Sequence, residues 1–373
     1  MVCRVSLNRL GYLFVQHLLS LSREELTREF ASLGEKPYRA EQLWSWLYLK
    51  RVFDFGQMSD LSAALREKLA AGFFIRSLEK DRVTGSKDTT QKFLFRLQDG
   101  QMVETVLIPA SPSLYGEKSD RRTICISSQV GCAYGCKFCA SGIDGWKRNL
   151  TAGEIVEQFL AVEEYSGEKI NNIVFMGMGE PFANFENLMK AINILNAPKG
   201  IALGARHMTV STSGLVPRIR DFADQPLQIR LAISFHGATD EVRSQIMPVN
   251  RKYPVAELLE ACAYFAARKK QRLTFEYILI KDVNDTEAQA VALAKHAKAL
   301  NAKVNLIPYN TVMDLDWERP AVPVQERFLS ILQDRGVVST LRREKGHDIA
   351  AACGQLRLQA SREKRVAPAD AVQ

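Results

Sequence analysis

A chain of 373 residues with 46% hydrophobic and 25% charged side chains has the composition of an ordinary globular protein, long enough for one large domain and a smaller one. Fifty Lys and Arg residues against 42 Asp and Glu give a formal net charge of +8, which favours a polyanionic partner such as nucleic acid. Seven cysteines, an odd number, exclude the disulfide framework of a small secreted domain and favour a reducing cytoplasm, and no run of about 20 apolar residues predicts a membrane span.

The amino-terminal residues 1–85 are predicted to form a helical, basic domain. Residues 10–19 are mostly apolar, but polar residues interrupt them and no small-residue cleavage site follows. A short amphipathic helix, or a start site assigned too early, is therefore favoured over a signal peptide. From about Arg23 to Arg76 apolar residues recur at helical spacing, most clearly around Trp44 and Trp46. Core packing is the favoured role of these aromatic residues, and stacking on bases is the alternative.

Residues 86–112 are predicted to form a β-hairpin element. Lys92–Leu97 and Met102–Ile108 have the composition of strands, and Asp99-Gly100 between them is a two-residue turn signal. Alternation along the second strand places Glu104 on one face together with apolar neighbours. Glu104 is therefore either a carboxylate in an apolar setting or a residue of the exposed outer face.

Strand and helix patterns alternate from residue 113 to residue 356, which predicts the α/β class and a partial (β/α) barrel. The site of such a barrel is expected at the carboxyl ends of its strands. The polar tail, residues 357–373, is expected to fray. The predicted strands are Thr123–Ser128, Asn172–Met176, His207–Thr212, Ile229–Phe235, Leu273–Ile280, Val304–Pro308 and Val337–Leu341, and the predicted helices are Ala152–Tyr165, Glu186–Leu195, Val255–Ala267, Thr286–Leu300 and Val324–Gln333.

Three cysteines lie within eight residues, after the first predicted barrel strand. Cys132, Cys136 and Cys139 form a C-x₃-C-x₂-C pattern. Thiolates hold iron–sulfur clusters, and three of them leave one iron of a [4Fe–4S] cube open to another ligand. Zinc is the alternative, but structural zinc takes four protein ligands and no fourth is evident nearby. The pattern therefore predicts a cluster with one open iron.

Mostly small or polar residues lie at or just after the ends of several predicted strands, at the edge where a barrel collects its active site. Each of them alone is more often structural, because a lone serine is usually a cap and a lone histidine a satisfied polar group. Their common placement favours a binding site. The residues are Gly179, Glu180, Ser211, Ser234, Phe235, His236 and Asn310.

Together these motifs resemble the RlmN/Cfr family of radical S-adenosylmethionine RNA methyltransferases. The resemblance covers nearly the whole chain, and it includes Gly177–Pro181, which is similar to the family's GGEP element, and the segments around Cys125 and Cys353. The long amino-terminal helical segment and Val130-Gly131 favour the RlmN branch. The resemblance implies a [4Fe–4S] cluster on the three cysteines, with S-adenosylmethionine on its open iron. Its implied cofactor-binding residues are Gly179, Glu180, Ser211, Ser234, Phe235, His236 and Asn310.

The resemblance also implies the reaction. One electron cleaves the cofactor and gives a 5′-deoxyadenosyl radical, which is needed because adenine C2 is too electron-poor to attack a sulfonium methyl group. Cys353 is implied as the methyl carrier, Glu104 as the base that removes the C2 proton, and Cys125 as the thiol that releases the product through a transient disulfide. Two S-adenosylmethionine molecules are implied per turnover. The implied substrates are adenosines in the peptidyl-transferase centre of 23S rRNA and next to the anticodon of tRNA.

Three alternatives stay open. The first is C8 methylation of the same rRNA adenosine, which gives antibiotic resistance in the Cfr branch. The second is another class of radical enzyme, which would not need Cys125 and Cys353. The third is a non-catalytic RNA-binding protein with a structural cluster.

Several further expectations concern partners and the remaining cysteines. Residues 1–85 are expected to hold the RNA backbone, a flavodoxin-type reductant is expected as the electron donor, and the protein is expected to be a monomer in the cytoplasm. Cys262 falls on an apolar helix and is expected in the core. Cys3 lies near an end that is expected to fray.

Overall fold

The computed structural model describes residues 15–110, 120–312, 315–342 and 345–356, and the elements below are numbered within them. Cys3, the first half of the apolar segment 10–19 and the tail 357–373 lie outside the described residues. No helix in the described ranges is long and apolar enough to cross a membrane.

The amino-terminal region is helical, as predicted. It contains α1 (Arg23–Ser32), α2 (Pro37–Tyr48) and α3 (Ala63–Gly72). Ser22 begins α1 with a capping box to Glu25, which satisfies two backbone N–H groups that the first turn leaves free. The described end of segment 10–19 begins with a short strand, since β1 (Gln16–His17) pairs in parallel with β2 (Phe73–Phe74), and continues as a 3-10 helical turn at Leu18–Ser20 rather than as a longer helix.

Three antiparallel strands follow the helices: β3 (Leu78–Gly85), β4 (Gln91–Leu97) and β5 (Met102–Pro109). The predicted hairpin is β4 and β5, joined by residues 98–101, whereas β3 was not predicted. Five successive side chains of β3 are exposed, so it lacks the alternation that marks a strand. Glu104 on β5 is buried, with 3% of its surface exposed, which decides between the two interpretations of this residue.

The remaining strands form a parallel sheet that continues from the antiparallel one. Within the described residues it has ten strands in the order β14-β13-β12-β11-β10-β9-β6-β5-β4-β3, open at both edges. β5 and β6 are antiparallel, and the pairs from β6 to β14 are parallel. The parallel strands are β6 (Arg122–Cys125), β9 (Asn172–Phe175), β10 (Met208–Thr212), β11 (Arg230–Ser234), β12 (Thr274–Leu279), β13 (Lys303–Pro308) and β14 (Ser339–Leu341).

Helices connect the parallel strands, and their buried faces pack on the apolar residues of the sheet. All five predicted helices are present, with ends that differ by at most a few residues. Two short helices, α6 and α7, were not predicted from the sequence pattern. The connecting helices are α4 (Ala152–Ser166), α5 (Phe185–Asn196), α6 (Val216–Asp224), α7 (Asp240–Ile246), α8 (Val255–Lys269), α9 (Glu287–Ala299) and α10 (Val322–Asp334).

A two-stranded ribbon brackets the loop of the three cysteines. β7 (Gln129–Val130) lies before the loop and pairs in an antiparallel manner with β8 (Arg148–Asn149) after it. Gly131 has a positive φ of 72°, and a Cβ on it would meet the carbonyl oxygen of Gly145 at 1.9 Å. Glycine is therefore required where this loop leaves the ribbon.

Candidate active site

The three motif cysteines face one chamber at the carboxyl ends of the parallel strands. Cys132, Cys136 and Cys139 line this inner chamber, which has a volume of about 150 Å³. Their loop is fixed by backbone hydrogen bonds, since Lys137 N donates to Ile246 O at 2.9 Å and Cys139 N to Cys136 O at 3.1 Å. The loop geometry therefore directs all three thiols toward the barrel interior.

The chemistry of these thiols fits an iron–sulfur cluster. Burial raises the pKa of Cys132 to about 12 and also raises the pKa values of Cys136 and Cys139, so each thiolate needs a metal to compensate its charge. Among the described residues, no three His, Cys, Asp or Glu side chains are placed to hold a single metal ion. Ligands of one zinc ion converge on one point, whereas each thiolate of a cluster binds a different iron and stands farther from its neighbours. The three cysteine thiolates are the donor set that holds a [4Fe–4S] cluster with one open iron.

Gly177–Pro181 crosses the wall of the chamber next to the cysteine loop. A Cβ on Gly177 would lie 2.6 Å from Ser127 Oγ, and Gly179 has a φ of 98°, so both positions require glycine. Glu180 is buried, and its two carboxylate oxygens accept hydrogen bonds from Ser213 N at 2.7 Å and Phe182 N at 3.0 Å. Burial raises the pKa of Glu180. A cationic group bound in the chamber would favour its charged form.

The strand ends opposite this wall supply hydroxyl groups and an imidazole. Ser211 and Ser234 line the chamber with their hydroxyl oxygens 3.3 Å apart. His236 accepts a hydrogen bond from Ile278 N on Nδ1 at 3.0 Å, and burial lowers its pKa to about 3. The ring is therefore neutral with its proton on Nε2, a donor available to a ligand.

Two predicted binding residues do not line the inner chamber: Asn310 lines the neighbouring cavity, and the Phe235 side chain points into the core. Its ring is fully buried and stacks on Phe275 with centroids 4.7 Å apart. Its carbonyl oxygen accepts a hydrogen bond from Arg243 Nε at 3.0 Å. Along a strand, side chains alternate between the two faces, so the residue between Ser234 and His236 faces the core. Any contribution of Phe235 to the site is limited to its backbone.

The carboxyl-terminal segment packs against the cysteine loop and brings Cys353 into the chamber. Ala140 N donates to Gly354 O at 2.7 Å, and Ser141 Oγ donates to Leu356 O at 2.8 Å. Asn310, after β13, donates from Nδ2 to Cys353 O at 3.2 Å. The structure therefore brings Cys353 next to the cluster cysteines, although more than 200 residues separate them in sequence.

A second cavity of about 70 Å³ adjoins the chamber, and Cys125 and Cys353 both line it. Burial, together with the nearby Cys353, raises the pKa of Cys125 to about 12. Arg342 also lines this cavity and donates from Nη1 to Cys353 Sγ at 3.2 Å. Both thiols are free in the structure. The arrangement places two thiols and one guanidinium around a single small space.

Glu104 lies beside these thiols but outside the lining of both cavities. It shares a face of β5 with Val106, which pairs directly with Cys125 on β6. Lys92 on β4 reaches this carboxylate, with Nζ 3.2 Å from Glu104 Oε1. The predicted base, the predicted resolving thiol and the predicted methyl carrier are thus gathered at one end of the sheet.

Four residues at or near the site were not predicted from the sequence: Lys92, Arg243, Glu276 and Arg342. Glu276 is buried in the chamber and accepts a hydrogen bond from Asn305 Nδ2 at 2.7 Å. A carboxylate inside an otherwise apolar predicted strand was the available signal. Arg342 directly follows the last predicted strand, and that position could have indicated it. Lys92 and Arg243 carried no signal, because only tertiary contacts distinguish them from the other lysine and arginine residues of the chain.

Two family descriptions match parts of this chain. Residues 16–75 match the family described as "Ribosomal RNA large subunit methyltransferase N-terminal domain". Residues 126–294 match the family described as "Radical SAM superfamily". The second match contains the cysteine loop, the glycine segment and the strand ends that line the inner chamber.

Similarity to individual proteins extends over nearly the whole chain. The chain is 50% identical over 343 residues to a "Probable dual-specificity RNA methyltransferase RlmN" of Akkermansia muciniphila, covering 92% of this chain and 96% of that protein. It is 50% identical over 353 residues to a "Probable dual-specificity RNA methyltransferase RlmN 3" of Opitutus terrae, covering 92% and 94%. The crystal structure of a radical SAM methyltransferase from Sphaerobacter thermophilus superimposes with a TM-score of 0.86 at 44% identity, covering 92% and 99%.

Proposed function

Because the chain belongs to the RlmN family of radical S-adenosylmethionine RNA methyltransferases, we propose that it methylates C2 of adenine in 23S rRNA and in tRNA. The relatives named as dual-specificity enzymes support both substrates. The single observation that carries the proposal is the position of Cys353, which lines both the chamber of the cluster cysteines and the cavity of Cys125. A methyl carrier needs to reach the cofactor on one side and a resolving thiol on the other, and this position allows both.

The residues that would hold the cofactors follow from the chamber. Cys132, Cys136 and Cys139 would hold a [4Fe–4S] cluster, and Glu180 would meet the ammonium group of S-adenosylmethionine. When bound, these groups supply a methyl cation equivalent and a carbon radical. Two cofactor molecules are proposed per turnover, one for each role. The further proposed contacts are those of Gly179, Ser211, Ser234, the backbone of Phe235, His236 and Asn310.

Cys353 acts first in the proposed sequence. Its thiolate takes the methyl group and becomes a thioether, and loss of one hydrogen atom from that methyl group prepares it to bond to C2. The hydrogen bonds from Asn310 to Cys353 O and from Arg342 to Cys353 Sγ hold the sulfur in place for both events. Positioning of this kind lowers the entropic cost of each step.

Glu104 and Cys125 complete the proposed sequence. Glu104 takes the C2 proton, and its burial beside Lys92 keeps bulk water away from that proton transfer. Loss of that proton together with one electron, which the oxidised cluster would accept, restores the aromatic ring with a methylene bridge to the sulfur of Cys353. Cys125 then attacks that sulfur, the S–CH₂ bond breaks with its electron pair on carbon, and the thiol proton of Cys125 completes the methyl group, which releases the methylated RNA and leaves a disulfide. Because burial raises the pKa of Cys125, this thiol stays protonated at neutral pH until the adduct forms.

Further proposals concern the partners. The target base leaves its stack to reach the chamber, as other enzymes that act on bases require. The amino-terminal helical domain is proposed to hold the RNA backbone, with domain boundaries at residues 85, 112 and 356 as predicted from the sequence. The electron is proposed to come from a flavodoxin-type protein, and the enzyme is proposed to be a cytoplasmic monomer.

Nucleoside mass spectrometry of unmodified 23S rRNA and tRNA tests the proposal. Reconstituted enzyme is supplied with S-adenosylmethionine and a reductant under anaerobic conditions. We expect 2-methyladenosine in both RNAs. Appearance of 8-methyladenosine instead would assign the protein to C8 methylation, and cofactor cleavage without any methylated base would refute RNA methylation.

Three cysteine variants test the roles of the two thiols. Cys353→Ala should abolish RNA methylation, and Cys125→Ala should leave RNA covalently attached to Cys353, visible as a gel-shifted protein. Cys262→Ala is the matched control, because Cys262 is a buried thiol of α8 that lines neither cavity. Full activity of Cys353→Ala would exclude the methyl-carrier role while leaving the cluster assignment intact.

A further inference from the structure

The cluster cysteines face two cavities. Cys136 and Cys139 line the inner chamber, and they also line a separate open crevice of about 460 Å³. Only Gly142 is shared besides these two cysteines. The remaining walls of the crevice are Gly135, Lys137, Ile143, Leu315, Asp316 and Trp317. The cysteine loop therefore has a second accessible side that no step of the proposed reaction uses.

The crevice gives an electron donor access to the cluster thiols from outside the chamber. The inner chamber is lined by Cys353 and by most of the groups proposed to contact S-adenosylmethionine, so cofactor and substrate fill it during the reaction. A reductant cannot occupy the same space, yet every radical cleavage consumes one electron. The inference rests on the cluster assignment in the proposed function, because without a cluster there is nothing to reduce.

The surface around the crevice has the composition of a protein-binding site. Ile143 and Trp146 are 38% and 48% exposed, which places two large apolar side chains at the surface of one loop. Lys137 in the wall of the crevice and Lys147 next to Trp146 in the chain are also exposed, and neither ammonium group has an ion-pair partner among the described residues. Aromatic and aliphatic residues at the centre with charges at the rim are typical of interfaces.

The charges favour an acidic partner. Asp316 and Asp144 are also exposed at this surface, and Asp144 has an interaction within the protein. The unpaired lysines and the net charge of +8 attract an acidic protein and RNA alike. The cluster thiols at the bottom of the crevice offer RNA no reaction, whereas an electron donor bound there would reduce the cluster.

Hydrogen bonds hold this surface in place before any partner binds. Trp317 Nε1 donates to Lys137 O at 3.1 Å from the crevice side, and Gly354 O accepts from Ala140 N on the chamber side. Arg319 Nε donates to Tyr309 O at 2.9 Å and fixes the segment that carries Trp317. A preformed surface loses little entropy on binding, which suits a transient electron-transfer complex.

We propose that this crevice is the docking site of a small acidic protein that carries a low-potential flavin, such as reduced flavodoxin. One electron moves in the complex. The flavin hydroquinone of the donor is oxidised by one electron and the [4Fe–4S]²⁺ cluster is reduced to [4Fe–4S]⁺, and no covalent bond forms or breaks in the cluster.

Stopped-flow reduction of the reconstituted holoenzyme tests the site. The loss of cluster absorbance is followed after mixing with flavodoxin hydroquinone or with dithionite. The variant Ile143→Asp/Lys147→Glu should lower the flavodoxin rate constant roughly tenfold and leave the dithionite rate within about twofold. Added salt should slow the flavodoxin reaction of the unmodified enzyme. Lys298→Glu, a charge reversal at an exposed site on α9, is the matched control.

The possible results distinguish donor docking from RNA binding and from damage to the cluster. An unchanged flavodoxin rate in the double variant would overturn the proposal, and so would an equal loss with both reductants, because that result indicates a damaged cluster. Loss of RNA affinity with a normal flavodoxin rate would assign the crevice to RNA. Lys147→Glu alone replaces the double variant if the latter incorporates less iron. Failure of the unmodified enzyme to be reduced by dithionite would instead refute the cluster assignment.

Discussion

Lys92 connects Glu104 to the segment that carries Cys353. Its Nζ lies 3.2 Å from Glu104 Oε1 and 3.2 Å from the carbonyl oxygen of Ala350, to which it donates a hydrogen bond. The turn that precedes β4 adds further contacts to the same segment, since Gly346 N donates to Asp88 Oδ2 at 2.7 Å and Ser86 Oγ to Asp348 Oδ1 at 2.5 Å. The antiparallel strands thus hold both the proposed base and the proposed methyl carrier.

Replacing Lys92 should slow RNA methylation without slowing the earlier methylation of Cys353. Lys92→Met leaves Glu104 buried without this cation, which misplaces the base, and we expect RNA methylation to fall at least tenfold, or about 1.4 kcal/mol. Methylation of Cys353 should continue, because Glu104 has no part in that step. Intact-protein mass spectrometry reads the S-methyl group, and a single-turnover assay reads RNA methylation. Lys92→Arg keeps the charge and should retain more activity, and equal loss of both steps would exclude this role.

Arg342 should affect the rate of the first proposed step, methylation of Cys353, rather than the later transfer to RNA. A hydrogen bond from a charged group is worth roughly 1.5–3 kcal/mol, so Arg342→Ala should slow methylation of Cys353 roughly ten- to a hundredfold. The rate is measured from the S-methyl content of the protein over time. Lys303→Ala, which removes an exposed cation at the start of β13, should change nothing. A normal S-methylation rate in Arg342→Ala would show that the contact with Cys353 Sγ is dispensable.

His236 should make the folded state sensitive to acid. Its folded-state pKa of about 3 lies below the value of about 6.5 expected in the unfolded chain. As the pH falls below 6.5 the unfolded chain takes up a proton that the folded protein does not, so this residue alone should lower the free energy of unfolding by about 2 kcal/mol between pH 7 and pH 5.

Urea unfolding of the unmodified protein and of His236→Gln at both pH values isolates this effect. Buried carboxyl groups with raised pKa values, such as Glu157 at about 7, act in the opposite direction in both proteins and cancel in the comparison. The difference in unfolding free energy between the two proteins should shrink by about 2 kcal/mol on going to pH 5. A constant difference would contradict the neutral assignment of the His236 ring.

The exposed side of α2 should bind RNA. Lys50 Nζ lies 3.4 Å from the centre of the Trp46 ring, and the Arg39 guanidinium lies 4.9 Å from that of Tyr38, which is 51% exposed. Reversing both charges with Arg39→Glu/Lys50→Glu should weaken RNA binding and reduce the slope of log K against log salt by roughly 2. Filter binding at several salt concentrations measures both quantities, with Lys298→Glu as control. An unchanged slope would place the RNA elsewhere.

The amino-acid sequence by itself determined the features that depend on local pattern. The spacing of Cys132, Cys136 and Cys139 indicated a cluster, since ligands within eight residues need only a loop to converge. Strong periodicity likewise predicted the parallel strands and five of their connecting helices. It failed for β3, whose exposed side chains do not alternate, and for the short helices α6 and α7.

Only the tertiary structure decided which distant residues meet. The proximity of Cys353 to Cys139 and Cys125 depends on the carboxyl-terminal segment packing on the cysteine loop, through contacts such as Gly354 with Ala140. The contacts of Lys92 with Glu104 and of Arg342 with Cys353 arise in the same way. Phe235 was predicted in the site, but its ring faces the core. Such long-range contacts result from the packing of the whole sheet, and no local pattern in the sequence encodes them.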